Sequence, residues 1–239
     1  LWGEYKKDWG DYGDRYEDPD DANAQRESTA TIEKRIASRA EAEAQTLGKL
    51  SPEDQARYRS LQTLIAADPL AKEALQTMLI RGRLPGDAAL VGGGTLLANL
   101  AALADQKLAT GLTRASLVSD LIQEVENPVV INQKDKNTCV ATSSMMDLAL
   151  RNPAEMVRLV SGLASPEGKV KLAGGKTLTR EPKWDQTLGE RTQSAHLLSE
   201  SLMELGNGLF AYDEVKDKNQ ALGIGLYDGL FVFGANRIL

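Results

Sequence analysis

The sequence predicts an α+β protein that is predominantly α, and three observations carry that expectation. Apolar residues recur at helical spacing through most of the first 126 positions, helix-start signals punctuate them, and extended patterns are confined to short stretches after residue 127. With 239 residues and 42% hydrophobic content the chain can fill a sizeable core. Its single cysteine cannot form an internal disulfide, so the fold is expected to stand without staples. One Cys and one His also rule out zinc sites built from those residues.

Charge and patterning divide the chain into an acidic aromatic arm at 1–21, a helical region at 22–126 and a lobe at 127–239. The arm sets Lys6, Lys7 and Arg15 against eight acids, a sum of −5 out of the chain's −6. It also holds five of the twelve aromatics, Trp2, Tyr5, Trp9, Tyr12 and Tyr16. Their steps of three and four place them on one face of a helix that Gly3, Gly10 and Gly13 weaken. The arm reads either as a segment docked on this chain's own body or as a partner-binding or pro-segment.

Within the helical region, Ala24 to Leu47 lacks Gly and Pro and has few large apolar residues, the pattern of one exposed helix. Ser51-Pro52-Glu53-Asp54 supplies a capping hydroxyl, a proline at the first helical position and acids in the first turn. Behind it Tyr58, Leu61, Leu64 and Ile65 share a face. Asp68-Pro69 restarts the pattern, with Leu70, Ala74, Leu75, Met78 and Leu79 as the buried stripe before Gly82. Two more helices are expected, from about Thr95 to Ala109 and from Thr113 to Val125. Gly92-Gly93-Gly94-Thr95 lacks the Lys-Ser/Thr of a phosphate loop, so it reads as a link and cap. An acidic balance without Lys/Arg blocks argues against nucleic acid, and the absence of an apolar run near ~20 residues argues against a membrane span; the protein is expected to be soluble.

Chemistry concentrates after Asn127-Pro128. Val129-Val130-Ile131 is a short extended apolar run, and a polar turn leads to Thr138 and Cys139. Thr138 can cap a helix whose first residue is Cys139, with Met145, Met146 and Ala149 facing inward. Unpaired N–H groups and the helix dipole at such a position favour the thiolate, which makes Cys139 a candidate nucleophile. Gln133, six residues upstream, can fold back so that its side-chain amide joins the Cys139 N–H as an oxyanion hole.

At these residues the sequence resembles the papain-like cysteine peptidases, whose signature is Asn-Gln, five residues, then Cys, followed by a small residue and a Ser. Asn132, Gln133, Cys139, Ala141 and Ser143 match in register. Val140 stands where an aromatic commonly follows the Cys, and Thr138 where a Gly precedes it. The resemblance covers about 20 of 239 residues. It implies that Cys139 attacks a peptide or amide carbonyl, that Gln133 stabilises the oxyanion, and that a papain-like lobe with a central Cys helix and a β-hairpin begins at Asn127.

The rest of the chain should supply a base. Asn152-Pro153-Ala154-Glu155 begins a helix as a capping box, Lys169 to Thr179 alternates around a two-residue Gly-Gly turn, a helix follows from about Gln193 to Leu205, and a strand is expected at Leu230 to Phe233. His196 is the only histidine, 57 residues after the Cys in a helical pattern, whereas papain-like enzymes place theirs much later in a β-rich half. Cys139, His196 and Asp213 fit the shorter order of the transglutaminase-like branch, although its His lies on a strand. His196 is therefore a doubtful base, better read as a helix-face residue. The chain ends where a β-rich half would start, so the expectation includes a missing C-terminal segment, or a second polypeptide, that supplies the catalytic His. The functional expectation is cysteine-dependent hydrolysis or acyl transfer on a protein or peptide substrate through a Cys139 thioester, with no cofactor, in a bacterial cytoplasmic or exported effector. The alternative is a non-catalytic helical adaptor, or a degenerate peptidase acting as an interaction module.

Overall fold

The computed structural model describes residues 27–134, 136, 138–181, 184, 191–207, 211–213, 218–221 and 224–227, the last three segments by their backbone alone. The arm at 1–21 and the strand expected at Leu230 to Phe233 lie outside the described residues. In chain order the helices are α1 (Thr29–Ser38), α2 (Ala40–Leu47), α3 (Pro52–Leu64), α4 (Pro69–Ile80), α5 (Leu96–Asp105), α6 (Arg114–Glu126), α7 (Cys139–Arg151), α8 (Pro153–Ala164) and α9 (Gln193–Asn207). Strands β1 (Lys169–Lys171) and β2 (Thr177–Thr179) lie between α8 and α9, and β3 (Ala211–Asp213), β4 (Lys218–Ala221) and β5 (Ile224–Tyr227) follow. The fold is thus predominantly helical, with two small antiparallel sheets among the described residues.

Helix starts obey local chemistry. Ser28, Ser51, Asp68, Thr95 and Asn152 each accept, through the side-chain oxygen, an amide N–H three residues on. Asn152 caps α8 as expected, but Glu155 does not complete a capping box. Its carboxylate instead accepts from the Leu90 N–H and the Arg158 guanidinium. The three glycines close a turn before α5, with Gly92 and Gly93 at positive φ and Gly94 O accepting from Ala89 N.

The single helix expected over Ala24 to Leu47 is broken at Arg39 (φ −104°, ψ 3°). Apolar packing is slight here, since α1 buries Ile32 and α2 buries no residue. Polar contacts hold both helices against α3 and α4 instead. Arg35 donates to both oxygens of Glu73 at 2.7 Å, Arg39 to Thr77 at 3.2 Å, and Glu43 accepts from Tyr58, Gln62 and Gln76. Burial and the Glu43 carboxylate push the Tyr58 phenol up from its usual range. These contacts also correct the stripe on α4: Leu70 is 51% exposed, whereas Glu73 and Gln76 are buried beneath α1 and α2.

One continuous core runs from Tyr58 to Met203. Within it α4 packs on α6, α3 on α5, α5 on α8, and α9 on α6, α7 and α8. Val129 to Ile131, expected as an extended run, belongs instead to a 3-10 turn at Pro128–Val130. Val130 N bonds to Asn127 O and Ile131 N to Pro128 O, and the φ that Pro128 fixes suits that turn.

The hairpin turns Val170 and Leu178 inward. Its loop contains three residues, 173–175, rather than a Gly-Gly pair: Leu172 N bonds to Lys176 O, and Gly175 at φ 82° takes the left-handed position. Beneath it Gly162 of α8 gives Val170 room, because a Cβ there would lie 2.5 Å from Val170 Cβ.

An Ala for Gly exchange inside a helix ordinarily stabilises by up to about 1 kcal/mol. Gly162→Ala is expected to do the reverse, costing on the order of 1–3 kcal/mol through overpacking of β1 on α8. Urea unfolding of the two proteins measures the sign.

Candidate functional site

Cys139 is the first residue of α7, a helix that buries Ala141, Thr142, Met145 and Ala149 and packs on α8 and α9. Its thiol is free and exposed. Thr138 occupies the cap position but makes no side-chain cap bond. Fully buried, it turns its hydroxyl toward Thr142, 3.5 Å away, while its carbonyl accepts the Thr142 N–H at 2.8 Å. The cap expected from sequence is therefore absent, and packing is the reason. Among the described residues no acceptor takes the N–H of Cys139, Val140 or Ala141. The first turn carries no acid, so its partial positive charge is left unopposed there.

Gln133 lies in the turn that feeds this helix. Asn132 Oδ1 accepts the Lys134 N–H at 2.7 Å, Lys134 takes φ 55°, and Gln133 O accepts the Lys136 N–H at 3.2 Å. The Gln133 side chain is half-buried, and among the described residues its amide makes no hydrogen bond, to Cys139 or to any other group. Gln133 and Cys139 thus share one turn-and-helix unit.

His196 has a different setting. Every residue from Ser194 to Met203 of α9 is buried, and the His196 ring is wholly inside. Arg191 donates to Nδ1 at 2.7 Å. A guanidinium can only donate, so Nδ1 is the acceptor and the neutral ring carries its proton on Nε2. That proton goes to the carbonyl of Trp184, and Nε2 also lies 3.0 Å from Glu200 Oε1. The one basic lone pair of the ring is taken by Arg191, which must let go before His196 could accept a proton from a thiol. Asp213 lies on β3, whose side chains lie outside the described residues.

Sequence reasoning passed over a second group of polar residues around α9. Thr192 and Ser194 both donate their hydroxyls to the buried Glu124 carboxylate, and Asp120, one turn earlier on α6, accepts the Gln193 N–H at 3.0 Å. The available signal was that Gln193 to Asn207 has no Lys or Arg, unusual for a surface helix in a chain that is 26% charged. Burial pushes Glu124 up to about 8, against the two hydroxyl bonds, with Asp120 adding to the rise. Burial likewise lifts Asp120 to about 6, against the Gln193 N–H and with help from Asp68. Among the described residues there is no group of three or more His, Cys, Asp or Glu side chains that could hold a metal, and no helix long and apolar enough to cross a membrane.

No family model, curated protein or solved structure matches this chain.

Both raised carboxyls favour the folded state when protonated. Their contribution is complete below the ordinary values of 4.5 and 3.8 and is lost as pH rises through about 6 for Asp120 and about 8 for Glu124. The difference in unfolding free energy between the native protein and Glu124→Gln, whose amide cannot ionise, should therefore shift against the native protein between pH 5 and 8. Urea titrations across that range measure it, and parallel curves would show that Glu124 does not titrate there.

Proposed function

We propose that this chain is a papain-like cysteine peptidase or acyl transferase that acts on protein substrates through a thioester at Cys139. The observation that carries the reading is the exposed, free thiol at the head of α7, beside N–H groups without an acceptor among the described residues. The thiolate would attack a carbonyl carbon, forming the S–C bond and an oxyanion. The Cys139 N–H and the Gln133 amide, half-buried in the preceding turn, would donate to that oxygen. Collapse of the intermediate would expel the amine with a proton from the base, and water or an amine would then cleave the thioester.

With Nδ1 of His196 held by Arg191, this reading takes its base from outside the described residues, either later in the polypeptide or on a second one. The same contact favours the second reading, a degenerate peptidase that keeps the Cys helix as part of an interaction module.

The two readings part on the reactivity of the thiol. A catalytic Cys139 should be alkylated by iodoacetamide at pH 6–7 faster than a free thiol of pKa ~8.5. Labelling that rises only above pH 8 would favour the interaction module. In any preparation with Cys139-dependent turnover, Gln133→Ala should lower kcat by about 10²-fold with unchanged unfolding free energy. Unchanged turnover removes Gln133 from the mechanism.

A further inference from the structure

The start of α9 is tied to α6 by two carboxyls. Asp120 and Glu124 are four residues apart on α6 and so share a face. Asp120 accepts the N–H of Gln193, the first residue of α9, at 3.0 Å. Glu124 is wholly buried and takes the Thr192 hydroxyl on one oxygen and the Ser194 hydroxyl, at 2.7 Å, on the other. Thr192 also caps α9: its Oγ1 accepts the Ala195 N–H at 3.2 Å, and its carbonyl accepts the His196 N–H at 3.0 Å. One hydroxyl therefore links the beginning of the helix to the buried carboxyl. Among the described residues neither Asp120 nor Glu124 forms an ion pair.

Charged groups on α6 and on the elements packed against it do not neutralise the pair. Asp68, at the head of α4, adds a third negative charge beside Asp120, and its oxygens take the Ala71 N–H and the Gln123 amide. On α4 itself Glu73 pairs with Arg35, and Lys72 forms an ion pair with none of the three. After α4, Arg81 pairs with Glu126, and Arg83 donates to the carbonyls of Val125 and Glu126. Arg114 of α6 donates to the Gln106 carbonyl, α5 carries only the exposed Asp105, and Asp147 and Arg151 of α7 pair with each other. On the α9 side Arg191 donates to Nδ1 of His196 and lies 3.6 Å from Glu200, while Glu204 is about three turns along the helix. A carboxylate buried without a cation is costly, and two on adjacent turns also repel each other. Burial accordingly raises both groups, Glu124 to about 8 and Asp120 to about 6.

We propose that Asp120 and Glu124 form a pH-operated latch, which docks the first turn of α9 on α6 in acid and releases it as the pair ionises. A protonated carboxyl keeps an acceptor oxygen for the N–H or hydroxyl it meets, so the docked turn is retained without a buried charge. Because both groups are raised, the docked form is favoured below their ordinary values and loses that advantage as pH climbs through about 6 and then about 8. The release is local. The contacts at stake are confined to residues 192–195, whereas the helix as a whole also packs on α7 and α8. It opens the turn that leads into His196, the one histidine of the chain, to water. The latch does not depend on Cys139 chemistry.

Amide hydrogen exchange of the full chain, followed by NMR from about pH 5 to about pH 8 and divided by the intrinsic rate at each pH, tests the latch. Protection at Gln193, Ala195 and His196 should fall at least about tenfold more than at Val157 and Val160 in the middle of α8, where exchange follows global opening. Glu124→Gln, with its unfolding midpoint checked, should keep most of that protection at the upper pH, since its amide cannot ionise. Diethyl pyrocarbonate supplies a second readout: at about pH 8 it should modify His196 at least about tenfold faster in the native protein than in Glu124→Gln. The native exchange profile needs no variant, so a folding defect in Glu124→Gln leaves it decisive. An equal fall at the α9 and α8 amides shows global destabilisation and overturns the latch. Unchanged protection in the native protein, or a native-like fall in folded Glu124→Gln, overturns it as well.

Discussion

Burying α9 is the constraint around which the structure is arranged. Ten successive residues, Ser194 to Met203, are removed from water, and they include a histidine, a glutamate and three serines as well as leucines. A buried polar group costs on the order of 2–7 kcal/mol if left without a partner, and a charge more. Neighbouring elements must therefore deliver partners at fixed positions. Glu124 of α6 meets Thr192 and Ser194, Arg191 meets His196 and Ser199, and the Trp184 carbonyl meets Nε2 of His196. Apolar packing alone would let α9 slide or rotate; these directional contacts fix one register.

That register reaches the candidate site through packing. α7 lies against α9 and α8, so the face it buries, and hence the direction of its exposed Cys139, follows from where those two helices sit. β2 rests on α9 as well, with Thr177 and Thr179 across from Glu204 and Leu205. Thiol and hairpin are thus attached to the same buried helix, whose own histidine is absorbed by structure.

A second polar joint shows the same logic at the surface. α1 and α2 bury almost no apolar residue; their attachment to α4 rests on Glu73 with Arg35 and Arg39 and on Glu43 with Gln76, and Glu43 also ties α2 to Tyr58 and Gln62 of α3. Partly buried charge pairs give less net stability than packing but prescribe geometry. They explain why acids and amides of α4 are covered while Leu70 is half-exposed.

The sequence by itself determined whatever is settled within four residues along the chain. Ser51-Pro52, Asp68-Pro69, Thr95 and Asn152-Pro153 begin helices because the capping oxygen and its N–H partner are three positions apart. Val170 and Leu178 face inward because strands alternate. The predominance of helix follows from the apolar spacing, and α7 begins at Cys139 as expected, although without the side-chain cap of Thr138. Tertiary structure decided the cases in which a partner arrives from elsewhere. Arg39 breaks a helix where α1 and α2 lie along α4, and packing around the start of α7 buries Thr138, whose hydroxyl makes no cap bond. His196, a plausible base by order along the chain, is tied to Arg191, Trp184 and Glu200. Glu124 and Thr192 lie 68 residues apart. No periodicity encodes such a pair, because the energy that makes it, desolvation of a carboxylate relieved by hydroxyl donors, exists only once the core has closed.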